Sequence, residues 1–591
     1  MTEAGSRGPA LLARVLAGAL AGLAGAGALT LIGAPQLSSP SAAAESADTT
    51  ATALWLLLSL VPGAMIGALA SERSAGPAVP VARGLLIGLL WWIVWFLSVA
   101  PLLRGEAPTW DAATVAAGFP ELIADLLQGA AAGLFFAAIA ERLPRASAHA
   151  APAGLPRVVV LGGGFAGIAA VQRLERLARR KARFDVTLIS DENYLLFTPM
   201  LAEVAAGSLE SRHISAPVRT ACPRTRFVHG RARSIDLERR AVQVGARGRR
   251  LELPFDHLVL AVGSEPTYHG LPGLAEHALP LKTLKNALTI RGHVLACLDQ
   301  ADLEPDPARR RQLLTFCAVG AGFAGVEAIA ELRDLVSSVL RFFPAVGRAE
   351  PCFVLVHSRE RILPELSEPL AAYALTKLRE RGIECRLGVR VAAARADALV
   401  LAGGEELPCG TIVWTAGNRP GELLDQLELE RGRGGTLAVD ESLRVLGRSD
   451  VWAAGDCAAV PDGDGGLQPP TAQHAVREGR AIADGIAATL AGLDVPPFRF
   501  RSLGALTPLG HRSGVAEIRG RCFSGALAWA LWRCIYLAKL PGLEKRTRVA
   551  LDWLLDLVFP RDIVLAEQVG SPADGRLAPE SAPGAPRENS G

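Results

Sequence analysis

Two glycine motifs in this chain of 591 residues have the spacing that binds dinucleotides. In such a motif the first glycine permits a tight turn, the second lets the backbone approach a pyrophosphate, and the third lets a helix pack closely on a strand. The N-terminus of that helix then faces the phosphates. The expected contact residues are Gly162, Gly164, Phe165, Ala166 and Gly167 in the first glycine loop (162–167), and Gly320, Gly322, Phe323, Ala324 and Gly325 in the second glycine loop (320–325).

The residues around each loop predict the strand and the helix that this chemistry needs. Residues 157–161 and 314–319 are short apolar runs typical of buried parallel strands. Helical patterns follow at 168–179 and from residue 326 onward. Two such units favour an α/β fold with two Rossmann-type nucleotide-binding domains, one inserted in the other. FAD on the first loop and NAD(P)H on the second would permit hydride transfer between them.

Three further strand patterns end in residues that suit a cofactor. Two apolar runs reach Gly263 and Gly417, where the backbone could approach a bound nucleotide. A third run, residues 450–456, ends in Asp456. In flavoproteins of this build an acid at that place accepts a hydrogen bond from the ribityl chain, so Asp456 is expected to bind FAD.

The cysteines and the charge balance exclude several classes of protein. The nine cysteines include no CxxC or CxxxxC pair and no cluster suited to zinc or to an iron–sulfur centre. We therefore expect no metal and no disulfide exchange. Lysine and arginine number 62 against 59 aspartate and glutamate, so no large basic field points to nucleic acid as a partner.

The first 150 residues have a composition of their own, with seven arginines, no lysine and nine acids. Four apolar stretches without charge predict an all-α segment of about four membrane-spanning helices. The fourth stretch is short and would need Glu121 and Asp125 at the level of the lipid headgroups, so three spans are the alternative. The four stretches are 11–32, 49–71, 84–103 and 126–140.

Arginine placement predicts how these helices lie in the membrane. Most of the arginines flank the stretches on one side, and by the positive-inside rule both ends of the segment are cytoplasmic. The rest of the chain would then lie on the cytoplasmic side of a bacterial-type inner (plasma) membrane. Glycines four residues apart predict close helix packing, with dimerisation as the alternative. These pairs are Gly18 and Gly22, Gly63 and Gly67, and Gly129 and Gly133.

Four segments of the second part form a recognisable set. They read NYLLFTPMLAEVAAG at 193–207, GAGFAGVEAIAEL at 320–332, VWAAGDCA at 451–458 and PPTAQHAVREG at 469–479. On these segments, residues 157–565 resemble the type II NADH dehydrogenases, which are single-subunit NADH:quinone oxidoreductases that pump no protons. The resemblance implies FAD as cofactor, NADH as electron donor and a membrane quinone as acceptor.

The resemblance also implies roles for individual residues. Gln473 and His474 would lie beside the flavin, and Gln473 would take part in catalysis. Gln473 and Arg477 would line the quinone site. Glu327 would orient the nicotinamide or relay a proton, although an acid near a helix N-terminus is also favoured by the helix dipole alone.

Three positions depart from the family's pattern. The second strand of the first fold ends in Ser190, followed by Asp191, where the family usually has an acid that binds the adenosine ribose; either residue is expected to bind FAD. In the second fold His357 and Arg359 stand near a position where the family often has Glu. Neither would repel a 2′-phosphate, so NADPH is an open alternative to NADH. Arg477 replaces a common Gln and adds a fixed charge.

The C-terminal segment predicts an amphipathic helical membrane anchor. Residues 523–541 and 549–560 combine leucines and basic residues with Trp529, Trp532 and Trp553, a composition typical of helices that lie in the membrane surface. Tryptophan and leucine at helical spacing also fill protein cores, which is the alternative for these helices.

These patterns together predict the organisation and the function of the chain. Electron transfer from NAD(P)H to a membrane quinone is the favoured function. The alternatives are another acceptor (a redox protein or the N-terminal membrane domain) and a flavin-based redox sensor; a homodimer is also open. The predicted parts are a membrane domain at 1–145, a linker at 146–156, an FAD-binding domain at 157–313 and 410–500, an NAD(P)H-binding domain at 314–409, the anchor at 501–570 and a disordered tail at 571–591.

Overall fold

The chain forms two compact units, Met1–Ser147 and Ala148–Gly591, here named the helical unit and the nucleotide-binding unit. The computed structural model describes residues 7–31, 56–69, 77–142 except 104, 106 and 109, 154–178, and 184–565. The predicted linker is described only from Gly154 onward, and the predicted C-terminal tail lies outside the described residues.

The helical unit contains two helices that are long and apolar enough to cross a membrane, Ala78–Val99 and Phe119–Ala140. Two shorter apolar helices, Ala13–Leu29 and Leu56–Ala68, correspond to the first two predicted spans. The helical elements of this unit are Arg7–Leu31, Leu60–Leu69, Ala78–Val94 with a π-helical turn at Trp95–Val99, Ala100–Leu103, Ala112–Ala117 and Phe119–Arg142.

The third and fourth helices begin earlier than the uncharged stretches predict. The third starts at Ala78 and includes Arg83, and the fourth starts at Phe119 and includes Glu121 and Asp125. A single charged residue does not interrupt backbone hydrogen bonding, so a window defined by absence of charge is too short. The fourth helix therefore has the length that its uncharged part lacks.

Glycines on facing helices bring the backbones of the helical unit together. A Cβ at Gly18 would collide with the Gly63 carbonyl oxygen, and one at Gly84 would collide with the Gly129 carbonyl oxygen. The other glycines of the predicted pairs are equally close to a neighbouring backbone. The small-xxx-small spacing therefore serves packing within one chain.

A five-stranded parallel sheet forms the first half of the nucleotide-binding unit. It carries the helix Phe165–Ala178, against which the helix Ala472–Leu490 packs. Its core is rich in valine, leucine and isoleucine, as expected for a parallel sheet buried on both faces. In spatial order its strands are Val451–Ala453, His257–Leu260, Arg157–Leu161, Asp185–Ser190 and Arg226–His229, and an antiparallel sheet is attached with strands Arg231–Asp236, Ala241–Ala246 and Arg249–Pro254.

A second five-stranded parallel sheet repeats this architecture. Three helices belong to this half: Leu284–Leu303, Phe323–Val339 and Glu368–Glu380. In spatial order its strands are Leu279–Pro280, Thr411–Trp414, Thr315–Val319, Cys352–Val356 and Ile383–Arg386, and its antiparallel attachment has strands Val391–Ala394, Ala398–Leu401 and Glu406–Pro408.

The chain passes between the two halves at Ser264–Pro266 and returns at Asn418–Pro420, and these two segments pair as antiparallel strands. This crossing corrects the predicted boundaries. Leu279–Pro280 and Thr411–Trp414 were expected in the first domain, but both belong to the second sheet. A glycine loop identifies only the strand directly before it and does not show which distant strands join the same sheet. The inserted domain is therefore larger than predicted.

Shorter elements connect these sheets. They are the paired strands Tyr194–Leu196 and Ser215–Pro217, the paired strands Leu437–Ala438 and Ala458–Ala459, the helices Leu201–Ala205, Val218–Ala221, Leu274–His277 and Pro307–Leu313, and the 3-10 turns Thr198–Met200, Leu340–Phe342, Glu422–Gln426, Arg433–Gly435 and Gly455–Cys457.

A small C-terminal domain follows, made of an antiparallel sheet and two helices. Trp532 and Trp553 are only 1% and 5% exposed and belong to the protein core, which corrects their expected place at the membrane surface. Six of the exposed apolar residues follow one another closely at 551–559 and are here named the C-terminal apolar surface: Leu551, Leu554, Leu555, Leu557, Val558 and Phe559. The strands are Gly504–Pro508, Gly514–Ile518 and Arg521–Ser524, and the helices are Gly525–Lys539 and Leu543–Asp556.

Candidate functional site

The first glycine loop has the geometry that a dinucleotide requires. Gly162 has φ +107°, a conformation that side chains rarely adopt. A Cβ at Gly167 would collide with the Gly162 carbonyl oxygen, so this glycine sets the close packing of the helix. A Cβ at Gly164 would meet nothing within 4 Å, so the backbone there borders open space at the N-terminus of the helix. That open space fits a pyrophosphate.

The second glycine loop repeats this arrangement. Gly320 has φ +103°, and a Cβ at Gly325 would collide with the Gly320 carbonyl oxygen. Gly322 borders open space with nothing within 4 Å. Phe323 and Ala324 form the first turn of the helix that follows and are not fully buried. Both loops thus provide a helix N-terminus with room for phosphates.

Phe165 and Ala166, which follow the second glycine of the first loop, pack against protein. The Phe165 ring meets the Phe197 ring edge to face with centroids 5.9 Å apart. Ala166 is buried and lies against Gly455 and Gly479. Their side chains therefore support the loop, and only their backbone is placed to face a nucleotide.

Asp456 lies in a polar cluster with one carboxylate oxygen engaged. The Ser264 hydroxyl donates to Asp456 Oδ2 at 2.7 Å, and Lys282 Nζ donates to the same oxygen at 3.0 Å. Among the described residues no donor reaches Oδ1. Gly263, with φ +69°, borders open space beside this cluster. A free carboxylate oxygen and an open backbone are what a ribityl chain needs.

Ser190 and Asp191 lie differently at the end of their strand. Ser190 is buried, its hydroxyl accepts from the Glu192 N–H at 3.2 Å, and it adjoins Gly163 of the first glycine loop. Asp191 is exposed, and its carbonyl oxygen is bonded by His229 Nε2 at 2.9 Å. Ser190 is therefore the residue that the strand brings to the loop.

The His474 imidazole is enclosed by the protein, which corrects its expected contact with FAD. It is 1% exposed and is bonded to the Thr471 hydroxyl at 2.6 Å. Burial and the nearby Arg477 lower the pKa of His474 to about 4, so the ring is neutral. On the next helical turn, Glu478 accepts from the Gly455 N–H at 2.7 Å, and burial raises its pKa to about 7.

His357 and Arg359 border the second glycine loop. His357 Nδ1 accepts from the Ala321 N–H at 3.2 Å, so the neutral ring carries its proton on Nε2. Burial and Arg359 lower the pKa of His357. Nε2 has no partner among the described residues, and Arg359 is exposed. The Arg359 guanidinium is thus available as a donor to a nucleotide, whereas His357 Nε2 is buried.

Gly417 does not border open space. It has φ +124°, and a Cβ there would collide with His269 Nε2. His269 is itself bonded to the Ala416 carbonyl oxygen at 3.0 Å. This glycine therefore accommodates a neighbouring side chain, and its contact with NAD(P)H stays a prediction.

Glu327, on the helix of the second glycine loop, is bonded to the C-terminal domain. The Thr507 hydroxyl donates to Glu327 Oε1 at 2.8 Å. Burial raises the pKa of Glu327 to about 8, so the carboxyl group is mostly protonated at neutral pH. Burial also raises the pKa of Tyr536, and the charge of Glu327 adds to that effect. Neither Thr507 nor Tyr536 was predicted at this place.

Gln473 is bonded to the first residue of the strand Gly504–Pro508, which also contains Thr507. Its Nε2 donates to the Ser502 hydroxyl at 2.8 Å and to the Gly504 carbonyl oxygen at 3.2 Å. Arg477 donates to the Gln473 carbonyl oxygen at 2.7 Å, and its guanidinium lies 4.1 Å from the centre of the Phe500 ring. Burial lowers the pKa of Arg477. Gln473, Arg477 and Phe500 therefore form one polar and aromatic group.

Buried charges attach the C-terminal helices to the rest of the unit, and sequence reasoning did not find them. Trp553 Nε1 donates to Glu203 at 3.1 Å, and the Arg533 guanidinium lies 3.9 Å from the same oxygen. Arg561 forms an ion pair with Glu331 at 3.0 Å. Burial raises the pKa of both glutamates. Glu203 stood in a quoted motif, but its partner is distant in sequence.

The cysteines and the side chains that could bind a metal are a further set of candidate functional residues. All nine cysteines, which lie within the part of the chain that the structure describes, are unpaired. Among the described residues no three His, Cys, Asp or Glu side chains are grouped as a metal site would require.

Two Rossmann-type sheets, each with an open glycine loop, and an acid after the last strand of the first sheet define a flavoprotein oxidoreductase with two nucleotide sites. The profile of the pyridine nucleotide-disulphide oxidoreductase family matches residues 156–479, and that of the NDH2 C-terminal domain matches 503–562. The chain belongs to the type II NADH dehydrogenases within that family.

Individual relatives support this assignment. The chain is 33% identical over 417 residues to the probable NADH dehydrogenase of Dictyostelium discoideum, covering 69% of this chain and 90% of the relative. It is 30% identical over 433 residues to the type II NADH:quinone oxidoreductase Ndh of Mycobacterium tuberculosis, covering 71% and 91%. The solved structure of Plasmodium falciparum NDH2 in complex with NADH has the same fold, with a TM-score of 0.63, 18% identity, and coverage of 69% and 99%.

Proposed function

We propose that this protein oxidises NADH and reduces a membrane quinone without pumping protons. One observation carries the proposal. The strand Gly504–Pro508 forms hydrogen bonds both with a residue expected at the nicotinamide and with a residue expected at the quinone. Thr507 holds Glu327 on the helix of the nucleotide loop, and Gly504 holds Gln473 on the helix of the acceptor side. The relatives named as NADH:quinone oxidoreductases support this donor and this acceptor.

The first glycine loop would hold FAD, with Ser190 near the adenosine part and Asp456 on the ribityl chain. When bound, FAD supplies a two-electron carrier between a nicotinamide and a quinone. Ser264 and Lys282 both donate to Asp456 Oδ2, so the other carboxylate oxygen is left for the ribityl chain. The second glycine loop would hold NADH, with His357 and Arg359 near the adenosine ribose.

Quinone would bind beside Gln473, Arg477 and Tyr536. The Arg477 guanidinium offers hydrogen-bond donors, and Phe500 and Tyr536 offer aromatic surface. Glu327, protonated at neutral pH, is suited to give a proton to the acceptor site. Lys539 lies near Arg477, since that charge together with burial lowers the pKa of Lys539.

We also propose that both units contact the membrane. The four apolar helices of the helical unit would span it, with both ends on the cytoplasmic side as arginine placement predicts. The C-terminal apolar surface would lie in the interface, because single-chain soluble proteins rarely expose so many adjoining apolar residues. Quinone would then enter from the bilayer.

NADPH is proposed as a second donor. The Arg359 guanidinium is exposed and could bond a 2′-phosphate, and no acid stands at the end of the strand Cys352–Val356 to repel it. The family's named members include NAD(P)H-ubiquinone oxidoreductases as well as NADH dehydrogenases.

The test separates the two half-reactions. The purified protein is mixed anaerobically with NADH or NADPH, and the flavin absorbance is followed; a short-chain quinone is then added. We expect bleaching by the nucleotide and recovery with the quinone. No bleaching by either nucleotide would contradict the dehydrogenase proposal. Bleaching without recovery would contradict quinone as acceptor and favour a redox protein or the helical unit.

A further inference from the structure

A groove lies between the end of the helix Phe323–Val339 and the residues that follow the last helix. Its volume is about 590 Å³, within the range of sites that bind small molecules. It belongs to neither glycine loop and contains none of the residues assigned above to nucleotide or quinone. Its lining residues are Ser337, Ser338, Leu340, Arg341, Arg348, Val558, Phe559 and Pro560; we name it the arginine groove.

Arg341 and Arg348 give the groove an uncompensated positive charge. Neither guanidinium forms a hydrogen bond or an ion pair with any residue in the described part of the chain. The Arg341 guanidinium lies 5.1 Å from the centre of the exposed Phe342 ring. The nearest acid in sequence, Glu350, accepts from the Gly347 N–H at 2.6 Å. Two arginines without counter-charges are therefore free to bind an anion.

Arg561 fixes the segment 558–560, which forms one wall of the groove. This buried side chain pairs with Glu331 at 3.0 Å and with Asp556 at 3.2 Å. Its backbone N–H donates to the Ser338 hydroxyl at 3.1 Å. The segment 558–560 is thereby fixed against the helix that ends at Val339, so the groove is part of the folded structure.

The outer edge of the groove is apolar. Val558 is 72% exposed and Phe559 61%, and both continue the C-terminal apolar surface. Two free guanidinium groups thus stand beside apolar side chains that point to solvent. A phospholipid in a bilayer has the matching arrangement, with an anionic phosphate directly above its acyl chains.

We propose that the arginine groove binds the headgroup of an anionic phospholipid, with its phosphate on Arg341 and Arg348 and its acyl chains against Val558 and Phe559. The inference rests on the proposed contact between the C-terminal apolar surface and the membrane. To that contact the proposal adds a class of lipid and a defined binding site, which lies in the nucleotide-binding unit.

The test uses the full-length protein in detergent and native mass spectrometry. Short-chain phosphatidylglycerol, short-chain phosphatidylcholine and glycerol phosphate are titrated separately. We expect one tight phosphatidylglycerol adduct and weaker phosphatidylcholine binding. At about fivefold per arginine, R341Q/R348Q should weaken phosphatidylglycerol binding by roughly twenty-fivefold. R341K/R348K should retain much of it, since the charge is kept.

The matched control is R249Q/R250Q, which removes the same charge from an exposed strand of the first half. Equal phosphatidylglycerol binding by R341Q/R348Q and this control would overturn the proposal. So would equal binding of the two lipids by the wild type, or glycerol phosphate binding as tightly as lipid. Flavin bleaching by NADH, measured on each variant, checks folding. If NADH does not bleach the flavin of the wild type, the proposed function is contradicted, but the measured lipid binding still tests the arginine groove.

Discussion

Glu327 carries a carboxyl group that keeps its proton at neutral pH. Burial is the largest cause of its raised pKa of about 8; Glu331 adds to the effect and the Thr507 hydrogen bond opposes it. Below that pH the group is protonated and can donate, and above it the group is a carboxylate and cannot. Donor function should therefore be lost as the pH rises through about 8.

The E327Q variant tests this role. Glutamine keeps the shape and a hydrogen-bond donor but has no proton to give, so kcat with quinone should fall about a hundredfold. The remaining rate should no longer decline through alkaline pH as the wild-type rate does. The measurement is kcat against pH, with anaerobic flavin bleaching by NADH as control, which should change little. An unchanged kcat with an unchanged pH profile would show that Glu327 does not relay a proton.

His357 and Arg359 are the residues that we propose for the choice between NADH and NADPH at the second loop. In R359E a carboxylate would face a 2′-phosphate and remove a charge-assisted bond, so kcat/KM for NADPH should fall about tenfold relative to that for NADH. R249E makes the same charge change on a distant exposed strand and should leave the ratio unchanged. If the wild type already rejects NADPH, or if both variants shift the ratio equally, the assignment of Arg359 is wrong.

At the scale of elements, two glycines of the first glycine loop have different functions. One leaves room for the nucleotide, and the other lets the helix pack on the loop. Gly164 borders open space, whereas a Cβ at Gly167 would meet the Gly162 carbonyl oxygen. We expect G164A to weaken FAD binding without changing the melting temperature of the apoprotein. G167A should weaken FAD binding and also destabilise the apoprotein by about 1–3 kcal/mol, because the helix must move.

Fluorescence titration of FAD and thermal unfolding of the apoprotein measure the two effects. G27A is the control for adding a methyl group at a glycine, since a Cβ there meets nothing within 4 Å. Similar melting temperatures for G164A and G167A would mean that the third glycine is not needed for packing.

The sequence predicted the elements whose signals are local. The strand Arg157–Leu161 has the predicted bounds, because a β-branched run directly before a glycine loop is a strong local signal, and the strand Asp185–Ser190 ends at the predicted residue. The cluster around Asp456 could not be predicted, since Lys282 is 174 residues away. Trp553 was misplaced for the same reason: its partner Glu203 lies 350 residues away, and composition does not tell a core tryptophan from one at a membrane.

At the scale of the whole molecule, each of the two compact units has apolar surface of its own. The helical unit has its apolar helices, and the nucleotide-binding unit has the C-terminal apolar surface. The profile matches begin at residue 156, so the family's sequence signature lies within the nucleotide-binding unit. That unit contains both glycine loops, the proposed quinone site and the C-terminal apolar surface. The helical unit is therefore not expected to be required for either half-reaction.

Deleting residues 1–150 tests this independence. The shortened protein should keep FAD, and NADH should bleach its flavin. It should reduce a quinone added in membranes with a kcat within about threefold of wild type, which corresponds to a change of less than about 1 kcal/mol in activation free energy. It should also remain membrane-bound, because the C-terminal apolar surface is still present. Loss of quinone reduction with bleaching intact would mean that electrons or quinone pass through the helical unit.

In the shortened protein, L554S/L555S should then release the chain from membranes. Leu554 is 59% exposed and Leu555 is its exposed neighbour, and each leucine moved from water into lipid is worth about 1.5–3 kcal/mol when fully buried. Partition measured by vesicle sedimentation should fall at least about tenfold. L303S/L493S, which alters two exposed leucines elsewhere on the unit, should leave it unchanged. If both pairs act alike, general apolarity holds the unit to lipid, and the C-terminal apolar surface has no special part in bringing quinone to Gln473.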